Sequence, residues 1–199
     1  MIKTMIIVGL ILVGAFAFGQ AWMSKSTKDI EMYSYDVLKA FDAFEIRSYE
    51  SANFAYVTMP EQSYKESSSQ GFRMLAGYIF GGNETGESIA MTSPVTMSLT
   101  DSVTMMFMVP SQYDMEDLPA PNDAEVKFKS EPGKTMAAIR FSGWANDEKI
   151  ESYTQELKTL LEKEGIEHLN NFSYLGYNPP YELTNRRNEI VVEVNYEEQ

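Results

Sequence analysis

The stretch that decides the fold is ESIAMTSPVTM, residues 87–97. It has the apolar content of a buried strand, but Pro94 stands in its middle. Proline has no N–H to donate to a β-ladder, so it is confined to edge strands, strand starts and bulges. The sequence therefore predicts that the sheet opens at Pro94, as an edge or a bulge, and that free backbone lines a groove there.

The rest of the chain repeats one order of elements twice. Hydrophobic periodicity indicates two strands, a helix and two further strands in each half. Pro179 and Pro180 interrupt the second half where Pro94 interrupts the first. Two such half-covered units would share one core, which predicts a mixed, largely antiparallel α+β fold. The predicted segments are 44–60, 63–80, 88–99 and 102–110, followed by 126–143, 147–164, 172–183 and 188–196.

Each half contains one segment with the spacing and end signals of an amphipathic helix. Asn146 is a favourable N-cap for the helix at 147–164, and Gly165 ends it. The segment 63–80 has several serines and two glycines and stops at a Gly-Gly pair. Its apolar side chains still fall on one side of a helix. They are Phe72, Leu75, Ala76, Ile79 and Phe80.

The N-terminus predicts export of the chain. Lys3 precedes an uncharged apolar run from Met5 to Phe18, which suits a cleaved signal peptide. Extended to Met23, with Gln20 as its only polar residue, the run could also span a bilayer as a retained anchor. Both alternatives place the remainder in the periplasm or on the outer face of a membrane. The predicted organisation is a signal or anchor at 1–23, a tether at 24–31 and one domain at 32–199.

Composition excludes several classes of function. The net charge of −13 argues against nucleic acid, whose binding needs clustered Lys and Arg. The chain of 199 residues has no cysteine, so it has neither thiolate metal sites nor a covalent haem attachment of the C-x-x-C-H type. His168 is the only histidine, which excludes histidine clusters and H-E-x-x-H zinc sites. No motif indicates catalysis, and the sequence predicts a protein that is not an enzyme.

Two residue groups suggest binding. Methionines cluster at 91, 97, 105, 106 and 108, where they would form either an adaptable groove or a methionine-rich core. Arg186 and Arg187 lie beside the second break. Their guanidinium groups would bind a carboxylate of a ligand, or they would pair with Glu182 and Glu189 as a structural clamp.

Three segments together resemble the SOUL haem-binding protein family over residues 32–196. They read FEIRSYE, GFRMLAGYIFGGNETGESIAMTSPVTM and YNPPYELTNRRNEIVVEV, and they occur in the order typical of the family. The resemblance implies a pseudo-two-fold α+β fold, in which two long helices pack on a twisted, antiparallel, barrel-like sheet. That fold is similar to the effector-binding domains of some bacterial regulators.

The resemblance also implies a function and a site. Members bind haem or a related tetrapyrrole non-covalently, in a shallow apolar groove between the first long helix and the loop at 176–187. A role in buffering or carrying haem follows, with Arg186 and Arg187 for the propionates. No axial ligand to the metal is assigned, because His168 follows the second helix. The alternative is a module for another hydrophobic molecule or a protein partner. The candidate site residues are Phe72, Leu75, Ala76, Ile79, Met91, Tyr177, Arg186 and Arg187.

Overall fold

A computed structural model describes residues 30–60, 63–98, 102–179, 182 and 184–196. The predicted signal peptide or anchor and residues 24–29 of the predicted tether lie outside these ranges. Neither helix within them is long and apolar enough to cross a membrane.

Two helices and twelve strands make up the described part of the chain. The helices are α1 (Tyr64–Ile79) and α2 (Asp147–Glu164). The strands of the first half are β1 (Glu31–Met32), β2 (Tyr35–Ala40), β3 (Phe44–Tyr49), β4 (Ala52–Met59), β5 (Thr92–Ser93), β6 (Val95–Ser98) and β7 (Val103–Met108). Those of the second half are β8 (Lys127–Glu131), β9 (Lys134–Ser142), β10 (Glu167–His168), β11 (Ser173–Gly176) and β12 (Arg187–Asn195).

Ten of the strands form one curled antiparallel sheet. Its order is β2-β3-β9-β12-β11-β6-β7-β4-β8, and β10 pairs with β12. The order is symmetrical about its centre. If β3, β4, β6 and β7 change places with β8, β9, β11 and β12, respectively, these eight strands appear in the same order read from the opposite edge. The predicted α+β class, with two long helices on a largely antiparallel sheet, is confirmed. The duplication of sequence that this order suggests stays a prediction.

The structure corrects the prediction that Pro94 marks an edge or a bulge. β6 begins directly after Pro94 and lies in the centre of the sheet, hydrogen-bonded to β7 and β11. Pro94 is buried and follows Ser93 through a cis peptide bond. It separates β6 from β5, which pairs in parallel with β1 outside the main sheet. Because Pro94 stands before the first residue of β6, the central ladder loses no donor.

α2 begins and ends at the predicted signals, and α1 begins at a cap that the sequence prediction did not name. The Ser63 side chain accepts a hydrogen bond from the Glu66 N–H at the start of α1. At the start of α2, the Asn146 side chain accepts one from the Lys149 N–H at 2.8 Å. Gly165 ends α2 in the left-handed conformation, with φ of 68°. These caps satisfy backbone groups that a helix end leaves without partners.

The sheet has an apolar core on each face. Leu75 of α1 and Leu157 of α2 pack in the main core on one face. Along β7 the side chains alternate: Met105 joins the main core, and Met106 joins a smaller, tyrosine-rich core on the opposite face. This double burial follows from the central position of β7 and accounts for its run of apolar residues.

Candidate functional site

A cleft of about 840 Å³ opens between α1 and the central strands of the sheet. Its volume lies within the range of about 300–1,000 Å³ that is common for small-molecule sites. Its floor comes from both halves of the chain, because β6 and β11 lie side by side beneath it. The floor side chains include Val95, Met97 and Tyr174.

Helix α1 forms one wall of the cleft through residues spaced four apart. Such residues form a continuous ridge on a helix surface. One ridge of α1 packs into the core beside the ridge that lines the cleft, and it consists of Ser67, Gly71, Leu75 and Ile79. A third ridge stands at the rim and consists of Ser69, Arg73 and Gly77. The ridge that lines the cleft consists of Tyr64, Ser68, Phe72, Ala76 and Phe80.

Two residues of α1 determine the shape of this wall. The Phe72 ring packs edge-on against Phe107 of β7, with centroids 5.4 Å apart, so its position is fixed from below. Gly77 widens the cleft, because a Cβ atom built at this position meets no other atom within 4 Å. A larger side chain at Gly77 would therefore project into free space.

The opposite wall is built around Arg186. Its guanidinium group donates to the carbonyl oxygens of Pro179 at 3.0 Å, Glu182 at 2.7 Å and Asn178 at 3.2 Å. It also lies 4.1 Å from the centre of the Trp144 ring. Its Nε N–H is buried without an acceptor among the residues that the structure describes. Arg186 thus fixes the loop that precedes β12 and keeps an unused donor.

The charge of the cleft is opposite to that of the protein. Acidic side chains outnumber basic ones by 29 to 16 in the sequence. The lining nevertheless contains no Asp or Glu within the described ranges, and its charged side chains are Arg73 and Arg186. Arg186 forms no ion pair with any described carboxylate. The cleft is therefore apolar, with positive charge on both walls.

Five of the eight predicted site residues line the cleft, and three do not. Leu75 and Ile79 are buried in the main core, because they belong to the adjacent ridge of α1. Arg187 is the first residue of β12, where its side chain forms an ion pair with Glu189 at 2.8 Å. The expectation that these three side chains lie at the groove is therefore corrected. The candidate residues that line the cleft are Phe72, Ala76, Met91, Tyr177 and Arg186, and their role in binding stays a prediction.

Glu189 is the centre of a buried polar cluster behind this wall. Its carboxylate, fully buried, accepts hydrogen bonds from Arg47 at 2.7 Å, Arg187 at 2.9 Å and the Tyr177 hydroxyl at 2.7 Å. Burial raises the pKa of this carboxyl, but the Arg47 and Arg187 guanidinium groups lower it by more, so the net pKa is below its ordinary value. Burial, with the charge of Glu189, raises the pKa of Tyr177 well above its ordinary range. The cluster thus holds Tyr177, a cleft residue, in its neutral form.

His168 lies away from the cleft. It belongs to β10, its ring packs against Phe172 with centroids 5.3 Å apart, and its Nδ1 accepts a hydrogen bond from the Asn170 N–H. Since it is the only histidine of the chain, no histidine of this protein lines the cleft. Within the described part of the sequence, no group of three or more His, Asp or Glu side chains could hold a metal ion.

The sequence prediction missed several residues that line the cleft. Arg73 and Tyr64 belong to ridges of α1 and follow from helical spacing once the position of Phe72 is known. Trp144 and Ile30 carried no local signal. They reach the cleft only because α2 begins near it and because β1 pairs with β5 beside it.

Comparison with solved structures identifies the fold. The crystal structure of the EcmrR C-terminal domain is similar with a TM-score of 0.62 at 11% identity, over 82% of this chain and 99% of that chain. A crystal structure of a hydrolase from Listeria innocua is similar with a TM-score of 0.53, also at 11% identity, over 79% of this chain and 94% of that chain. At these identities the likeness concerns the fold alone.

Sequence comparison identifies the family. The family model described as SOUL heme-binding protein matches residues 30–193. The chain belongs to the SOUL heme-binding protein family. Heme-binding protein 1 of Xenopus laevis is 29% identical over 156 residues, which cover 74% of this chain and 82% of the relative. Heme-binding protein 1 of Mus musculus is 28% identical over 174 residues, with coverage of 81% and 91%. Heme-binding protein 2 of Homo sapiens is 27% identical over 157 residues, with coverage of 74% and 76%.

Proposed function

We propose that this protein binds haem or a related tetrapyrrole non-covalently in the cleft between α1 and the Arg186 wall. Family membership supports the class of ligand, because relatives carry the name heme-binding protein. The observation that carries the proposal is an apolar cleft without described carboxylates, whose two arginines, Arg73 and Arg186, form no ion pair with any described carboxylate.

The lining suits a flat apolar ring with acidic substituents. Transfer of such a ring from water gains about 25 cal/mol for each Å² of apolar surface that is buried. Met91, Met97 and Met105 offer polarizable and unbranched side chains that adapt to a planar ligand. Arg73 and Arg186 stand on opposite walls, where guanidinium groups would bind ligand carboxylates.

Binding would not depend on a histidine or a thioether link from this chain. The sequence has no cysteine for covalent attachment, and its only histidine lies on β10. Methionine and tyrosine are possible axial ligands of haem iron. The cleft contains both types, and neutral Tyr174 and Tyr177, whose pKa values are raised by burial, resist ionisation.

We further propose that the protein buffers or carries its ligand outside the cytoplasm. The support is the sequence of residues 1–23, which suits either a signal peptide or a retained anchor. An open apolar cleft without a motif for catalysis suits storage or transfer of a ligand better than turnover.

A titration of the full-length protein with haemin tests the proposal. We expect a saturable shift of the Soret absorption band at micromolar protein, with one haemin per chain. Gly77→Phe would fill the cleft and reduce the affinity at least about tenfold, because ring and ligand compete for one space. Gln70→Phe, on the exposed side of the same helix, is the matched control and would bind as the wild type does.

Absence of a saturable shift, or equal binding by Gly77→Phe, would reject haem as the ligand of this cleft. The alternative is another hydrophobic small molecule or a protein partner on the same scaffold. Native mass spectrometry of protein purified from its source cells distinguishes these cases. A retained mass different from haem would favour the small molecule, and a bare chain in a complex would favour the partner.

A further inference from the structure

The chain enters the described domain at the cleft. Ile30 is the first described residue and lines the cleft. The next two residues form β1, which pairs in parallel with β5, at Glu31 with Thr92 and at Met32 with Ser93. Thr92 and Ser93 also line the cleft. This pairing fixes the point of entry beside the site.

The connection to the apolar N-terminal segment is short. Residues Ser24–Asp29 separate Ile30 from Met23, the last residue of that segment. A fully extended link from Met23 to Ile30 spans at most about 25 Å. A domain of this length is about 40 Å across, by the usual scaling of the radius of gyration. If the segment lies in a bilayer, the link is too short for the face opposite Ile30 to rest on that bilayer.

Two exposed aromatic side chains stand at the mouth of the cleft. Phe80 is 64% exposed at the end of α1, and Trp144 is 53% exposed on the opposite wall, although both line the cleft. Aromatic rings of this kind favour the interface between membrane and water. The described residues that line the cleft include no carboxylate that lipid phosphates would repel, and their charged side chains are Arg73 and Arg186.

From these observations we infer that the mouth of the cleft lies against the lipid bilayer that the N-terminal segment enters. An apolar ligand would then exchange between bilayer and cleft without passing through bulk water. The identity of that ligand rests on the proposed function, whereas the orientation of the domain does not.

The N-terminal segment itself is a poorer occupant of the cleft. Residues 5–23 as a helix would be about 28 Å long and about 10 Å wide, which is roughly 2,000 Å³. The cleft has about 840 Å³. If the segment occupied the cleft, most of its apolar surface would stay in water. A bilayer would cover that surface completely.

Fluorescence quenching by lipid tests the orientation. The chain has two tryptophans, so Trp22→Phe leaves Trp144 as the only one. The full-length variant is reconstituted in vesicles of phosphatidylcholine, either ordinary or brominated on the acyl chains. We expect brominated lipid to reduce the Trp144 emission at least about twofold, as for an interfacial ring. Equal Trp144 emission in both lipids would overturn the inference, because it would mean that the protein does not bind the vesicles or that another face of the domain contacts them.

The matched control moves the reporter to the far end of α2. Leu169 is 53% exposed, like Trp144, and it follows the C-terminal end of α2, which is about 27 Å long and begins three residues after Trp144. The variant Trp22→Phe, Trp144→Phe, Leu169→Trp should show little quenching, and strong quenching there would contradict the orientation. Gly77→Phe in the Trp22→Phe background should keep the quenching although its cleft is filled. Absence of haemin binding by the Trp22→Phe protein, with its quenching retained, would reject the proposed function alone.

Discussion

At the scale of single residues, Glu189 explains how the wall of the cleft around Tyr177 is held. Its fully buried carboxylate joins Arg47 of β3, Arg187 of β12 and the Tyr177 hydroxyl. Breaking a buried ion pair leaves an unpaired charge in the interior, which is far more costly than loss of a surface pair. The same carboxylate therefore serves the stability of the sheet and the position of Tyr177 in the cleft.

We predict that Glu189→Gln lowers the free energy of unfolding by about 3 kcal/mol, because Arg47 and Arg187 lose their common counter-charge. Chemical denaturation measures the change. Glu131→Gln is the control, since Glu131 also has two cationic partners, Lys129 and Lys134, but is only partly buried. Its loss should stay below about 1 kcal/mol. Equal losses for the two variants would contradict the role of burial.

The lowered pKa of Glu189 predicts that the stability of the protein depends on pH. The folded pKa of Glu189 is lower than its ordinary value of 4.5, so the unfolded chain binds a proton first as the pH falls. The contribution of Glu189 is therefore complete above about pH 4.5 and is lost as the pH falls through the folded pKa. Wild-type stability should fall more steeply below pH 4.5 than that of Glu189→Gln. Parallel curves would contradict this assignment.

Arg186 is the residue that we expect to bind a ligand carboxylate, because its charge has no described carboxylate partner. We predict that Arg186→Met weakens haemin binding about tenfold, the usual effect of one charge-assisted hydrogen bond. Binding of haemin dimethyl ester, which lacks the carboxylates, should change little. Arg140→Met, an exposed arginine outside the cleft, is the control. Equal losses for haemin and its ester would show that Arg186 only supports the loop.

At the scale of elements, α1 combines two demands on one helix. Its core ridge packs against the sheet, and its adjacent ridge leaves the cleft open. The two glycines of α1 meet opposite surroundings. A Cβ at Gly71 would lie 2.9 Å from the Met59 Cε and 3.2 Å from the Met105 Cβ, whereas one at Gly77 meets nothing within 4 Å. Gly71 thus permits close packing, and Gly77 provides space.

These surroundings predict opposite effects of one substitution. Gly77→Ala should raise the free energy of unfolding by about 0.5–1 kcal/mol, because alanine favours the helix and meets no obstacle. Gly71→Ala should lower it by about 1 kcal/mol, because overpacking against β4 and β7 exceeds the helical gain. Thermal denaturation of both variants checks the signs. A stabilised Gly71→Ala protein would show that Met59 and Met105 move aside at little cost.

The helices were predictable from sequence, and the place of each strand was not. Helix caps and spacing are local, so Asn146 and Gly165 defined α2, and the apolar side of segment 63–80 with the Gly-Gly pair after it defined α1. Pro94 was read as an edge or a bulge because β11, one of the two neighbours of β6, comes from the other half of the chain. Arg186 and Arg187 differ for a local reason: Arg187 begins β12 and shares a face with Glu189, two residues further. Glu189 was predicted from sequence as an alternative partner of the two arginines, and strand alternation would have assigned it to Arg187.

At the scale of the whole molecule, a symmetrical sheet carries an asymmetrical site. The cleft lies above the contact of β6 with β11, where the two halves meet, and α1 alone of the two helices forms its wall. The start of α2 contacts the start of α1 without lining the cleft, since Asp147 accepts a hydrogen bond from the Tyr64 N–H at 2.6 Å. Family resemblance in the sequence indicated this helix and loop, but the cleft itself depends on packing across the whole chain.

Hydrogen–deuterium exchange with and without haemin tests most directly whether the cleft is the binding site. The account predicts slower exchange in α1 and in residues 174–178, most of which line the cleft. Exchange in the C-terminal half of α2, which lies outside it, should not change. Protection that appears in α2 and is absent from α1, or no protection at saturating haemin, would contradict the account.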